Sequence, residues 1–180
     1  MIYTEITPNP ASLKFVLDRI ILTGSGIDFP DIQSTENSLI AKQLFSHSFV
    51  KSIFIGSHFI TITKHEGSLW EEIIPIVRQE IQAFLQTGNA FVHRTEQAAD
   101  PLADESEIIQ RIRQLIDDQV RPAVAMDGGD IVFESFENGV VKLKMYGACS
   151  GCPSSTMTLK AGIQGLLTRL IPEVKEVEAV

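Results

Sequence analysis

Two cysteines separated by two residues, Cys149 and Cys152, are the residues of this sequence with the clearest capacity for chemistry. They follow an alternating stretch that predicts a β-strand, and Pro153 suits the first turn of a helix. Both sulfur atoms are therefore expected beside a helix N-terminus, where unpaired N–H groups and the helix dipole favour the thiolate. Because a thiolate binds metals and attacks disulfides, the segment predicts one of these two chemistries.

Thiol–disulfide exchange is one interpretation, because thioredoxin-like enzymes also place C-x-x-C after a strand and at the start of a helix. The residues after Cys152 suffice for one helix and one strand, whereas a thioredoxin-like fold needs a further hairpin and helix. Metal or cluster binding is the other interpretation, since a zinc ion or an iron–sulfur cluster usually takes four thiolate or imidazole ligands. We favour metal or cluster binding and keep redox exchange as the alternative.

One chain supplies only two of those four ligands. The four histidines lie outside the second half of the chain and show no ligand spacing, so we expect ordinary structural or surface roles for His47, His58, His65 and His93. A second copy of the chain, related by a two-fold axis, would supply the missing pair of cysteines. The number of cysteines therefore predicts a homodimer around the bound metal or cluster.

Composition and charge restrict the partners. The 180 residues carry a formal net charge of −8, which offers no sequence-wide basic field, so nucleic acid is not expected as a partner. No apolar run approaches the ~18–20 residues of a membrane span, and no basic residue precedes Lys14, so neither a span nor a targeting peptide is predicted. Two cysteines in one short segment indicate a reducing compartment.

The sequence divides near residue 95 into two α+β domains. Residues 91–103 lack apolar periodicity and predict a solvated linker between domains at 1–90 and 104–180. In the first domain, Ser68 is expected to cap the longer of two helices. Its predicted elements form a three-stranded sheet covered by these helices: strands 13–17, 50–55 and 59–63, and helices 38–45 and 68–85.

The second domain has the predicted order α-β-β-α-β, with Asp104 capping a first helix that Pro122 bends or ends. Asn138-Gly139 between two alternating stretches is a strong hairpin signal. The helix after the cysteines stops before Pro172, and residues 174–180 add an edge strand. Residues 127–130, Asp-Gly-Gly-Asp, are interpreted as a turn and not as a pair of catalytic carboxylates.

Most of the chain resembles a known family. The segments that resemble the C-terminal domain of NifU are Asp127-Gly128-Gly129-Asp130, the hairpin, and residues 147–155, 158–164 and 171–174. The segments that resemble the N-terminal domain of Nfu proteins are residues 7–10, 13–15, 28–30 and 59–64. The resemblance implies an iron–sulfur scaffold or carrier, and no enzyme, that holds a 4Fe-4S cluster between two subunits through Cys149 and Cys152.

The resemblance also implies partners and a compartment. The cluster would come from upstream assembly proteins and pass to apo iron–sulfur recipient proteins. Mitochondrial members of the family begin with a presequence that is not visible here. We therefore expect either a bacterial cytoplasmic protein or a trimmed form in the mitochondrial matrix. The role of residues 1–90 is left open.

Overall fold

In the computed structural model of the protein, the described residues are 1–93, 106–149 and 153–180, with residues 153–156 described as backbone only. They form two α+β domains, each with its own sheet and helices. The predicted fold class is thereby confirmed. Cys152 and residues 94–103 of the predicted linker lie outside the described residues.

The first domain is a five-stranded antiparallel sheet covered on one face by helices. Its elements are β1 (Ile2–Ile6), β2 (Ser12–Leu17), β3 (Ile27–Phe29), a 3-10 helix (Ile32–Asn37), α1 (Leu39–Leu44), β4 (Val50–Ile55), β5 (Phe59–Lys64) and α2 (Trp70–Thr87). The strands lie in the order β1-β2-β5-β4-β3. The three central strands, both helices and the β4–β5 hairpin are those that the sequence predicts.

Three details of the first domain differ from the prediction. The sheet has five strands instead of three, because β1 and β3 add one strand at each edge. In addition, α2 begins at Trp70 after Leu69, with no side-chain hydrogen bond at its N-cap, so Ser68 does not cap it. Phe91 and Val92, which the sequence assigns to the linker, are buried in the core of this domain.

The second domain has the predicted α-β-β-α-β order. Its elements are α3 (Glu107–Leu115), a π-helical turn (Ile116–Val120), α4 (Arg121–Met126), β6 (Gly129–Glu137), β7 (Val140–Gly147), α5 (Pro153–Leu170) and β8 (Glu176–Ala179). The antiparallel hairpin β6–β7 turns at Asn138-Gly139, where both residues have positive φ. As predicted, β8 is an edge strand, and it pairs in parallel with β7.

The first helical segment of the second domain begins later than predicted, and of the two alternatives for Pro122, that it bends or ends the helix, the second is wrong. It begins at Glu107 after Ser106, and Asp104, the predicted cap, lies outside the described residues. It also continues past Pro122, because the π-helical turn comes just before that proline. The Arg121 N–H donates to the Ile116 carbonyl five residues back, so the helix widens where Pro122 lacks its own N–H.

Candidate functional site

Cys149 lies just after β7, in the turn that leads toward α5, and its side chain points into the core of the second domain. Only 3% of the residue is exposed. Its sulfur packs against the backbone of Gly129 at the start of β6: a Cβ atom on Gly129 would lie 2.9 Å from Cys149 Sγ and 2.5 Å from the Tyr146 carbonyl oxygen. The sulfur therefore occupies a position that depends on a glycine 20 residues earlier in the chain.

The Asp-Gly-Gly-Asp segment forms the predicted turn and holds the cysteine segment by its backbone. Gly128 has φ of 81°, and its N–H donates to the Ala125 carbonyl at 3.1 Å. The Gly128 carbonyl accepts the N–H of Ala148, the residue directly before Cys149, at 3.2 Å. A Cβ atom on Gly147 would lie 2.6 Å from the same carbonyl oxygen. Two glycine turns thus meet at the base of the cysteine segment.

Asp130, at the end of this turn, is a buried carboxylate whose ion pair with Arg121 the sequence does not predict. Arg121 binds it with two hydrogen bonds of 2.9 Å, from Nε to Oδ1 and from Nη2 to Oδ2. The backbone N–H groups of Ile131 and Gly26 donate to its two oxygens at 2.8 and 3.0 Å. Hydrogen bonding to Asp130 is the main reason why the pKa of Arg121 is raised. The network fixes the end of the turn beside Cys149.

Electrostatics around Cys149 oppose the sequence expectation of a readily formed thiolate. Burial, followed by the negative charges of Asp127 and Asp130, raises the pKa of the Cys149 thiol to about 12. The raised pKa keeps the thiol almost entirely protonated at pH 7. It is a poor nucleophile in this conformation, and a metal that binds the sulfur has to displace its proton.

A cavity of about 550 Å³ opens beside Cys149, between the first helical segment of the second domain and α5. Most of its walls are apolar, with contributions from Val120, Ala123, Leu159, Ile163 and Leu166. Asp127 and Gln119 add polar atoms, and Pro8 reaches the cavity from the first domain. Residues of both domains therefore line the cavity that opens beside Cys149.

The other predicted site residues are placed as follows. Cys152 lies outside the described residues, so the structure gives no position for its sulfur. Within the ranges 1–93, 106–149 and 153–180, no group of three or more His, Cys, Asp or Glu side chains is arranged to hold a metal ion. His47 pairs with Glu80 at 3.3 Å and stacks on Phe49, and His58 packs edge-on against Phe59.

No helix among the described residues is both long enough and apolar enough to cross a membrane.

Comparison with known proteins gives matches for both domains. The family described as "Scaffold protein Nfu/NifU N terminal" matches residues 2–88, and the family described as "NifU-like domain" matches residues 112–178. The NFU1 iron-sulfur cluster scaffold homolog, mitochondrial, of Drosophila willistoni is 47% identical over 182 residues, covering 99% of this chain and 63% of the relative. The protein of the same name from Drosophila ananassae is 46% identical, covering 99% of this chain and 64% of the relative.

The chain thus spans less than two thirds of the length of these relatives. Among solved structures, the NifU-like protein from Saccharomyces cerevisiae matches with 25% identity and a TM-score of 0.47. That match covers 54% of this chain and 86% of the yeast chain.

Proposed function

The chain belongs to the Nfu family, with an Nfu N-terminal domain followed by a NifU-like domain, and we propose on this basis that it is an iron–sulfur cluster scaffold and carrier. The observation that carries the proposal is the Cys149-x-x-Cys152 segment inside the region that matches the NifU-like domain. The names of the relatives support it, because they describe iron–sulfur cluster scaffold homologues. We propose that the chain binds and passes on a cluster and has no catalytic role.

We further propose that the cargo is a 4Fe-4S cluster shared between two chains, with Cys149 and Cys152 of each chain as its ligands. Such a cluster takes four thiolates, and one chain has two cysteines. The residues that the structure describes offer no alternative cluster of ligand side chains. A symmetric pair of chains is the simplest source of the two missing thiolates.

Iron and sulfide content test the ligands. Protein purified without oxygen should contain about two iron and two sulfide ions per chain, with the absorption and Mössbauer spectra of a 4Fe-4S cluster. Cys149→Ala and Cys152→Ala should each abolish the cluster while the far-ultraviolet circular dichroism spectrum stays unchanged. His58→Ala is the control and should retain full iron. Full iron content in either cysteine variant would refute the assignment.

The carrier role is tested by assembly and transfer. A cluster shared across two chains is released when the chains separate or when an incoming thiolate replaces a ligand, so we expect a labile cluster. Light scattering should find a dimer with the cluster and mainly monomer, or weak dimer, after chelation. Loaded protein should activate an apo 4Fe-4S enzyme faster than equal amounts of iron and sulfide do. An equally tight dimer without metal, or activation no faster than from the ions, would contradict this role.

Thiol–disulfide exchange is not favoured as the alternative function. The thiol of Cys149 is buried and its pKa is raised, whereas a redox-active cysteine needs an accessible sulfur with a lowered pKa. Iron-free protein that cycled reversibly between the dithiol and a Cys149–Cys152 disulfide would reverse this preference.

The proposed partners are apo iron–sulfur proteins and the assembly proteins that supply the cluster. The relatives are named as mitochondrial, which favours the mitochondrial matrix over a bacterial cytoplasm as the compartment of this chain. Cell fractionation of the natural host, with an antibody against the chain, would test this assignment.

A further inference from the structure

The first sheet has a second face, which points away from α1 and α2 and packs against the second domain. Three of its side chains, Val16, Phe54 and Phe59, are 2–3% exposed and form a separate apolar cluster. Ala125 and Tyr146 of the second domain pack against that cluster. The first domain therefore covers the two segments that lead into the glycine turns of the cysteine site.

Hydrogen bonds across this contact end on the backbone that supports Cys149. The Thr61 hydroxyl donates to the Gly128 carbonyl at 2.7 Å, and this hydrogen bond is buried. The Gly147 N–H donates to Asp28 Oδ1 at 3.4 Å. Two further bonds join the domains nearby: Gly26 N to Asp130 Oδ2 at 3.0 Å and Lys14 Nζ to the Met126 carbonyl at 3.2 Å.

Because these bonds end on the backbone beside Cys149, docking of the first domain affects where Cys149 lies. The Gly128 carbonyl accepts the Thr61 hydroxyl and also the N–H of Ala148, next to Cys149. The Cys149 sulfur is buried against Gly129, so we expect it to reach a cluster that a second chain also binds only if its segment moves away from the Gly128-Gly129 turn. The Thr61 bond holds Gly128 in place, and the Asp28 bond holds Gly147, two residues before Cys149. Both bonds therefore oppose exposure of Cys149.

We propose that the first domain acts as a cover: its bonds to Gly128 and Gly147 keep Cys149 buried in the core of the second domain, and it separates from that domain when the thiol is exposed. The part of this inference that concerns the cluster rests on the function proposed above. Docking and cluster binding are then linked equilibria: a ligand that binds exposed Cys149 favours separation, and a weakened contact between the domains favours binding to the same extent. This assigns a role to the domain for which the sequence shows no chemical motif.

The test compares two threonines on the same face of β5 in the full-length, metal-free chain. Cys152→Ser leaves Cys149 as the sole thiol, since the chain has two cysteines. In this background, Thr61→Val removes the hydroxyl that bonds Gly128. Thr63→Val is the matched control, because the Thr63 hydroxyl bonds Ser12 Oγ of its own domain at 2.8 Å. The rate at which iodoacetamide alkylates Cys149 reports its exposure.

Thr61→Val should speed alkylation about fivefold to tenfold, the effect of losing one buried hydrogen bond on the opening equilibrium. Thr63→Val should change the rate less than about twofold, since an intradomain bond does not enter that equilibrium. Hydrogen exchange at the Ala148 amide should follow the same order, and far-ultraviolet circular dichroism shows whether each variant is folded. Equal alkylation rates in the two variants, or no increase with Thr61→Val, would overturn the proposal.

Iron loading in the two-cysteine chain separates this proposal from the proposed function. If Thr61→Val speeds alkylation and also cluster loading, both are supported. If it speeds alkylation but no variant binds iron, the cover is supported and the scaffold function is refuted. If the chain binds a cluster but alkylation is the same in both threonine variants, the cover is refuted and the scaffold function stands.

Discussion

Gly129 provides a test of how tightly the second domain packs around Cys149. In Gly129→Ala the added Cβ would lie 2.5 Å from the Tyr146 carbonyl oxygen and 2.9 Å from Cys149 Sγ. A carbon atom usually approaches a carbonyl oxygen no closer than about 3.3 Å. The nearest obstacle is backbone of the paired strand β7, so a side-chain rotation cannot relieve the clash. Either β6 and β7 separate locally or the cysteine segment moves.

The cost of this substitution follows from known overpacking effects. Inserting a methyl group into a well-packed core costs about 1–3 kcal/mol, occasionally more, and the backbone obstacle places Gly129→Ala near the upper end. In a protein of this size, a loss of about 1 kcal/mol in the free energy of unfolding lowers the melting temperature by roughly 2–4 °C. We therefore expect a melting temperature lowered by ~6–12 °C. The displaced sulfur should also alkylate faster.

Urea unfolding followed by circular dichroism gives the free energy of unfolding, and Gly165→Ala is the matched control. Gly165 lies in the middle of α5, is exposed, and has no atom within 4 Å of the position of an added Cβ. The same methyl group there should stabilise the protein by about 0.5–1 kcal/mol through helix propensity. If Gly129→Ala unfolds at the same urea concentration as the parent chain, the inference that Gly129 packs closely against Cys149 is refuted.

Three further predictions concern charge, pH and domain independence. Arg121→Met should lower the free energy of unfolding in urea by about 2–4 kcal/mol, because it leaves the buried carboxylate of Asp130 without its charged partner. Adding Asp130→Asn to that variant should recover part of the loss. Burial raises the pKa of Asp28 above 3.8, so its contribution to stability is fully present below pH 3.8 and is lost as the pH rises through the raised pKa. Asp28→Asn should therefore be more stable than the parent at pH 7 and equal to it below pH 3.8, in unfolding measured across that range. Residues 104–180 expressed alone should fold and bind iron, since their main core is lined by their own side chains. Circular dichroism that shows an unfolded fragment, or an iron analysis that finds no iron, would contradict this.

Local patterning accounts for the parts of the fold that the sequence predicts. The strands β2, β4 and β5 and the hairpin at Asn138-Gly139 have alternating residues or a turn that needs positive φ. The two missed strands have no such signal. β3 is three residues long, and β1 mixes polar and apolar residues at an edge. Both exist because an adjacent strand pairs with them, which is a long-range effect that periodicity does not report.

The candidate site is also predicted only in part, because local sequence predicts the position of Cys149 but not its surroundings. The position of Cys149 between a strand and a helix follows from residue types, and the structure agrees with it. Its burial and raised pKa depend on Gly129, Asp127 and Asp130, which belong to a turn about 20 residues earlier. The local sequence indicates only the helix dipole, whereas burial and two carboxylates from a distant turn oppose ionisation of the thiol.

The polar residues of the first sheet explain why that sheet needs a second covering layer. A strand in a two-layer domain exposes every other side chain, yet all six residues of β2 are buried. Lys14 is 5% exposed and lies 3.0 Å from Glu5, 3.2 Å from the Met126 carbonyl and above the ring of Phe59. A buried lysine is costly without such partners, and one of them belongs to the second domain. Lys14 and Thr61 therefore suit a docked sheet better than an isolated one, which is the arrangement that the cover for Cys149 requires.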